Sequence, residues 1–331
     1  MAMKPLRKLL GFAFLACLAV SHFAATKNLK IAVIPKGTTH EFWKAIHTGA
    51  VKAQKELEGQ GIKVEVIWKG PLREDDRDQQ IQVVESFVNR KVDGIVLAPL
   101  DSTALVAPVE SAANMKIPLV VIDSGLKTDR IVSYISTDNF KGGQLAGERL
   151  AELLKGKGKV ILLRYQVGSA STEERESGFL DAIKKHPGIT LISSDQYAGA
   201  TRDLAYQASQ NLLTRFGKDV DGIFVPNESS TVGMMMALRD IKKNGTVKLV
   251  GFDAGQQLID GLQRGDIQGL VIQNPVRMGY LGVMTVVQHL DKKKVEKRID
   301  TGVVVVTKEN MEQPDMKDLL YPPVEKYLGR E

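Results

Sequence analysis

A unit is written twice in this chain. Val92-Asp93-Gly94-Ile95-Val96-Leu97, followed by Leu119-Val120-Val121-Ile122-Asp123-Ser124-Gly125, is echoed by Val220-Asp221-Gly222-Ile223-Phe224-Val225, followed by Leu249-Val250-Gly251-Phe252-Asp253-Ala254-Gly255. Each copy is a short apolar β-branched run ending in Pro or Asp, a helical stretch, and a second buried-strand run ending in Asp-x-Gly, the pattern of a parallel sheet. The repeat predicts an α/β fold with two similar lobes. Ligands of open α/β sheets bind beyond the carboxyl ends of the strands, so Asp123 and Asp253 are expected at equivalent strand tips, one per lobe, as a clamp around something polar.

A chain of 331 residues, 43% hydrophobic and 25% charged, has room for about two domains, in agreement with the repeat. Its first 25 residues differ from the rest: Lys4, Arg7 and Lys8 precede an apolar run from Leu9 to Val20, and Ala24-Ala25 follow. This is the pattern of a secretory leader, too short for a comfortable membrane span. Without its three cations the formal charge drops from +6 to +3, so the basic balance is no argument for nucleic acid. The single cysteine, Cys17, lies in the leader, and the rest of the chain forms no disulfide and no thiol nucleophile. Cys17 reads either as an apolar leader residue or as a lipid-attachment site, although Phe14 is bulky for the latter.

From Leu29 onward short strand-like runs alternate with amphipathic segments, which predicts serial βα units with right-handed crossovers. Strands are expected at Leu29-Ile34, Lys63-Trp68, Gly94-Ala98, Leu119-Ile122, Lys159-Leu163, Thr190-Ser193, Gly222-Val225, Lys248-Gly251 and Gly269-Ile272. Helices are expected between them, among them Phe42-Leu57, Lys141-Leu154, Glu173-Lys185 and Thr231-Lys242. No low-complexity linker separates the lobes, so they should share a hinge of close strands. Its candidates are Ser133 to Asp138, Gln273-Asn274-Pro275, and Thr301-Gly302 before the Val303-Val306 run. Three crossings restrain two lobes to opening and closing about one axis.

The turn Pro35-Lys36-Gly37-Thr38-Thr39-His40-Glu41 runs straight into Phe42-Trp43. Two adjacent aromatics at a helix start either anchor that helix or present a ring to a cleft, where it stacks on the C–H faces of a sugar. Ionised Asp123 and Asp253 are acceptors only, suited to hydroxyl protons, and each reads otherwise as a helix N-cap. Asn227 and Gln273 close two further strands with amides that donate and accept; alternatively they satisfy nearby backbone.

Rival chemistries are poorly supported. His40-Glu41 is followed by His47, seven residues on, off the spacing of a zinc helix, and no metal cluster is evident. Gly156-Lys157-Gly158-Lys159 lacks the spacing of a phosphate loop and reads as a solvated turn. Glu74-Asp75-Asp76-Arg77-Asp78 reads as the acidic start of a helix.

Taken in order, Phe42-Trp43, Val121-Ile122-Asp123, Thr137-Asp138-Asn139 with Gly142-Gly143, Glu174-Arg175-Glu176-Ser177-Gly178-Phe179, Asn227-Glu228, Val250-Gly251-Phe252-Asp253 and Gln273-Asn274-Pro275 resemble the bacterial periplasmic sugar-binding proteins of the ribose-binding type. These are the exported receptors of ABC sugar importers. The resemblance implies the type I periplasmic binding protein fold: two Rossmann-like lobes with parallel sheets, joined by three hinge strands. Residues 1–25 would be the leader, 29–136 with 274–301 the N-terminal lobe, and 137–273 with 302–325 the C-terminal lobe.

It also implies a sugar held by Phe42, Trp43, Asp123, Asn227, Asp253 and Gln273, with His40 where pentose receptors carry Asn. Ser124 and Glu173 stand where ribose receptors tend to carry Arg, so those contacts must differ. Arg175 either takes over part of that role or is exposed at a helix start. Ile34-Pro35-Lys36 resembles the opening of receptors for rhamnose and for the furanone-derived quorum-sensing autoinducer, the alternative ligands, whereas Phe252-Asp253 keeps the ordinary sugar signature.

The expectation is a periplasmic binding protein that uses no cofactor, closes on a monosaccharide or similar polyol and docks on a membrane permease. It is expected to act as a monomer, with a chemoreceptor as a further partner and nucleic acid excluded. Two rivals remain: a glycosidase using Asp123 and Asp253 as acid and base, and a repressor of the lactose-repressor kind. The second lacks its helix-turn-helix, because a leader occupies that position.

Overall fold

The structure is a computed structural model describing residues 28–329; the leader with Cys17 lies outside the described residues. Along the chain run β1 (Leu29–Ile34), α1 (Glu41–Gly59), β2 (Val64–Trp68), α2 (Arg77–Asn89), β3 (Gly94–Leu97), α3 (Val106–Asn114), β4 (Leu119–Ile122) and β5 (Ser133–Ser136). After a first crossing come α4 (Asn139–Leu153), β6 (Lys157–Leu162), α5 (Ala170–Ile183), β7 (Gly188–Ser193), α6 (Arg202–Phe216), β8 (Gly222–Phe224), α7 (Glu228–Asp240), β9 (Lys248–Phe252), α8 (Gln256–Arg264) and β10 (Gly269–Ile272). The chain returns for α9 (Pro275–Leu290) and β11 (Arg298–Asp300), and crosses once more to β12 (Val304–Val306), α10 (Pro314–Leu320) and α11 (Val324–Leu328).

Two six-stranded sheets result, ordered β11-β5-β4-β3-β1-β2 and β12-β10-β9-β8-β6-β7. The repeat is thus a repeat of topology, with β4 and β9 third in line in their sheets. β3, β4, β8 and β10 are buried along their whole length, as continuous apolar runs covered on both faces must be. One apolar cluster lies on each face of each sheet, for instance around Ile31 and Val33 on one face of the first and around Ala32 and Ile34 on the other.

One strand departs from the parallel rule: β12 pairs antiparallel with β10, whereas β11 pairs parallel with β5. β11 and β12 are separated by only residues 301–303, too few for a crossover. β11 runs toward the other lobe and the chain simply carries on, so β12 leaves the junction while β10 approaches it. The solvated turn read at Gly156–Lys159 is also partly strand, since β6 begins at Lys157.

The crossings lie side by side. Asp138 N donates to Asp300 Oδ1 (3.2 Å), Thr137 Oγ1 to Gly302 O (3.2 Å) and Arg298 Nη2 to Thr137 O (3.3 Å). Past them, Leu320 is buried in the core of the second sheet, with Met316 and Leu319 packed alongside. The final helix α11 lies back on α1, where Lys55 Nζ sits 5.2 Å from the centre of the Tyr327 ring. The glycines of the Gly142-Gly143 and Gly178 motifs answer to helix packing: a Cβ on Gly143 would lie 1.9 Å from Arg175 O, and one on Gly178 2.0 Å from Phe140 O. They let α4 and α5 touch backbone to backbone.

Candidate functional site

Both repeated aspartates stand just past their strands with left-handed backbones, φ 62° at Asp123 and 68° at Asp253. That conformation is uncommon for a side-chain-bearing residue, and Asp and Asn tolerate it best. It turns both carboxylates into one narrow cavity between the sheet ends. Neither caps the helix that follows it: Gly255 is the N-cap of α8. Asp253 Oδ2 instead accepts the first amide of α7, Glu228 N (3.2 Å), and Oδ1 accepts from Gln273 Nε2 (2.6 Å). Asn227, at the N-cap of α7, makes no capping bond and donates to Ser229 Oγ (3.0 Å).

Nine of the eleven residues singled out in the sequence line this cavity. Lys36, 3% exposed, brings its ammonium 3.0 Å from Asp123 Oδ2 and donates to Ser171 Oγ of the other lobe (3.1 Å). Phe42 and Trp43 meet edge to face, centroids 5.0 Å apart at 84°, and both border the cavity. Arg175 is buried, not exposed: Nε donates to Asn139 Oδ1 (2.9 Å), Nη1 to Pro226 O (2.9 Å), and the guanidinium lies 3.9 Å over the Phe252 ring.

Two residues fall outside the cavity. Ser124 is fully buried and its Oγ accepts from Ser171 N (3.1 Å), so it joins the lobes instead of facing the cavity. Glu173 is exposed on the first turn of α5 and accepts from Gly168 N (2.8 Å). The helix phase explains it. Thr172, Arg175, Glu176 and Phe179 form the buried stripe, and position 173 lies off that face.

The sequence reading missed Glu74, Tyr165, Ser171, Thr172 and Glu228, all of which line the cavity. In the acidic string, Asp76 is the residue that caps α2, accepting from Gln79 N (2.9 Å). Glu74 turns inward, where Trp43 Nε1 (2.8 Å), Tyr165 OH (2.7 Å) and, at very short range, His40 Nδ1 surround its carboxylate. Glu228 reaches across the cleft to accept from Phe42 N (3.1 Å), and Glu41 reaches the opposite way to accept from Gln256 N (2.9 Å). The starts of α1 and α8, where His40 makes no capping bond and Gly255 has no side chain to make one, are each finished by the other lobe.

The charges balance. Lys36 faces Asp123, His40 faces Glu74, Arg202 Nη2 donates to Glu228 Oε1 (2.6 Å), and Arg175 acts on Asp253. Burial pushes Glu74 up and His40 down, but each partner's charge and hydrogen bond outweigh it, holding the carboxyl well below its usual range and the imidazole protonated. Burial also drives Asp253 up, against Arg175 and Gln273, to about 6. Among the described residues no group of three His, Cys, Asp or Glu is placed to hold a metal.

Four buried polar atoms of the cavity wall have no hydrogen-bond partner: Arg175 Nη2, Asn227 Oδ1, Gln273 Oε1 and Asp123 Oδ2, the last with the Lys36 ammonium near but no aligned bond. Orphaned buried polar atoms are costly, and these converge on one space as one donor and three acceptors. Beside two aromatic rings, this set complements a molecule rich in hydroxyls with an apolar face.

The family model described as "Periplasmic binding protein domain" matches residues 31–294. The chain is 30% identical over 295 residues to a ribose import binding protein of Haemophilus influenzae, covering 89% of this chain and 97% of the relative. Among solved structures, a carbohydrate transporter solute-binding protein of Agrobacterium radiobacter in complex with D-arabinose superimposes with TM-score 0.84 at 35% identity, over 90% of this chain and all of the other. An ABC transporter solute-binding protein of Agrobacterium vitis with bound D-fucose gives 0.83 at 36%, over 88% of this chain and all of the other. Each of these relatives is a binding protein of an import or transport system. With the same two-lobed architecture and a match along nearly all of its described length, the chain belongs to the periplasmic binding protein family, alongside receptors of the ribose-binding type.

Proposed function

We propose that this protein captures an uncharged monosaccharide or comparable polyol between its lobes and presents it, closed, to the permease of an ABC importer. The observation that carries the reading is the set of four unpartnered polar atoms facing two aromatic rings in a cavity whose cations and anions pair off. A sugar acid or sugar phosphate would bring charge into a balanced site, at a high desolvation cost. Micromolar affinity requires about 8 kcal/mol net, within reach of stacking, excluded water and charge-assisted hydrogen bonds of about 1.5 to 3 kcal/mol each.

Lys36, His40, Phe42, Trp43, Asp123, Arg175, Asn227, Asp253 and Gln273 are the binding set, joined by Glu74, Tyr165, Ser171, Thr172 and Glu228. Residues 29–136 with 274–301 and 137–273 with 302–325 move as the two lobes. The site of action is the periplasm, reached through the leader; no helix among the described residues is long and apolar enough to cross a membrane. The protein acts as a monomer, and its closed form is also the state a chemoreceptor would read.

A thermal-shift panel tests this, because a ligand that binds only the folded state raises the melting temperature. D-Ribose, D-arabinose, D-fucose and related neutral sugars should include at least one strong stabiliser, and sugar acids and phosphates none. L-Rhamnose and the furanone-derived signal belong on the panel as the alternative ligands. Preference for a charged sugar, or silence across the neutral set, refutes the reading.

A further inference from the structure

Several contacts join the lobes with no ligand involved, and the one at Glu74 also engages Trp43 of the cavity wall. Tyr165, 1% exposed, follows β6 in the second lobe; Glu74, 6% exposed, follows β2 in the first. Tyr165 OH donates to Glu74 Oε2 at 2.7 Å, and Gln166 Nε2 donates to Glu74 O at 3.2 Å. The other carboxylate oxygen, Oε1, is engaged within the first lobe by Trp43 Nε1 and His40 Nδ1. Each end is braced: Tyr165 N donates to Glu176 Oε1 (3.1 Å), Tyr165 O accepts from Gly199 N (3.0 Å), and a Cβ on Gly37 would lie 2.8 Å from Glu74 Cγ.

We propose that Glu74 and Tyr165 form a closure latch, a positioning pair that favours the shut cleft whatever sugar is inside and that locks the Trp43 ring into the cavity wall as the lobes meet. A phenol on a carboxylate is a charge-assisted bond, stronger than the neutral contacts around it. When the lobes part, both groups return to water, so the bond contributes only to the closed state and shifts the population by that difference. Burial and the neighbouring carboxylate raise the Tyr165 phenol, which keeps it a donor.

Tyr165→Phe removes the hydroxyl and keeps the ring. The expected result is a Kd about tenfold higher for the best sugar of the panel, nearly all of it in a faster dissociation rate, with the melting temperature of the unliganded protein unchanged. Trp43 fluorescence in the liganded form should move toward that of the open form. This affinity arm rests on the proposed receptor function. A second arm does not: with Cys17→Ala, the chain has no cysteine, so spin labels at Leu72→Cys and Val167→Cys, 64% and 67% exposed on opposite lobes, report the inter-lobe distance directly. Tyr165→Phe should deplete the short-distance fraction without sugar. Identical distance distributions in the parent and Tyr165→Phe proteins overturn the latch whether or not any sugar binds. A fall in unliganded melting temperature in step with affinity overturns it as well, by making Tyr165 a brace within one lobe.

Discussion

Replacing Asp253 by Asn separates binding from folding, because the two should move in opposite directions. Asn tolerates the φ of 68° at this position, so the change leaves the backbone unstrained, which Ala would not. The variant loses one acceptor: its amide nitrogen must face either Gln273 Nε2 or Glu228 N, both donors to the present carboxylate. If Gln273 turns over to avoid the clash, its Oε1 leaves the ligand space as well. Each charge-assisted bond to a sugar hydroxyl is worth about 1.5 to 3 kcal/mol, so a single lost bond raises Kd about 10- to 150-fold, and two lost bonds more. Folding gains instead. A buried carboxyl pushed from its ordinary 3.8 to about 6 costs about 3 kcal/mol at neutral pH relative to the unfolded chain, a ceiling on what Asn recovers. Calorimetric titration with the best sugar of the panel gives the affinity, and a thermal melt without sugar gives the stability. The expected pair is weakened binding with an unchanged or raised melting temperature. A melting temperature that falls together with affinity would show Asp253 to be a structural brace, and unchanged affinity would remove it from the site.

The same carboxyl sets a pH dependence. If only ionised Asp253 accepts from sugar hydroxyls, Kd should be about tenfold higher at pH 5 than at pH 7.5, and Asp253→Asn should flatten the profile. The group's own contribution to unliganded stability has the reverse sign: it is full below about 3.8 and lost as pH rises through about 6. Glu173→Ala, on the outer face of α5, should leave Kd within about twofold by the same titration, since exposed positions away from the cavity contribute little. Gly143→Ala would drive a methyl to 1.9 Å from Arg175 O; a loss of about 3 kcal/mol or more in urea unfolding is expected, with sugar binding lost as α5 and Arg175 shift.

Where a pattern is local, the sequence declares it. The strands, the paired Asp tips and the Phe42-Trp43 step could be read because burial on both faces leaves unbroken apolar runs and strand tips leave Asp-x-Gly. The exposure of Glu173 follows from helix phase, since the spacing of Thr172, Arg175, Glu176 and Phe179 leaves position 173 on the flank of the buried stripe. Glu74 was not legible. It sits two residues before the true cap, Asp76, in a string whose charges look equivalent, and what distinguishes it is contact with His40, Trp43 and Tyr165, 34, 31 and 91 residues away. Tyr165 was hidden in the same way, by a polar stretch with no period. The strands at Ser133–Ser136 and Arg298–Asp300 are short, and the second is polar and at a sheet edge; only pairing makes them strands.

The tail adds a leash to the hinge. α10 is anchored to one lobe by buried Leu320 and α11 rests on the other, with only Tyr321, Pro322 and Pro323 between them. Three residues pulled straight reach about 10 Å, so on that flank the jaw's stroke is capped at what this slack permits unless α11 peels from α1. A receptor tethered so is geared for short excursions, and cargo attached beyond Leu328 would ride on the lobe opposite the one that supplies most of the tail.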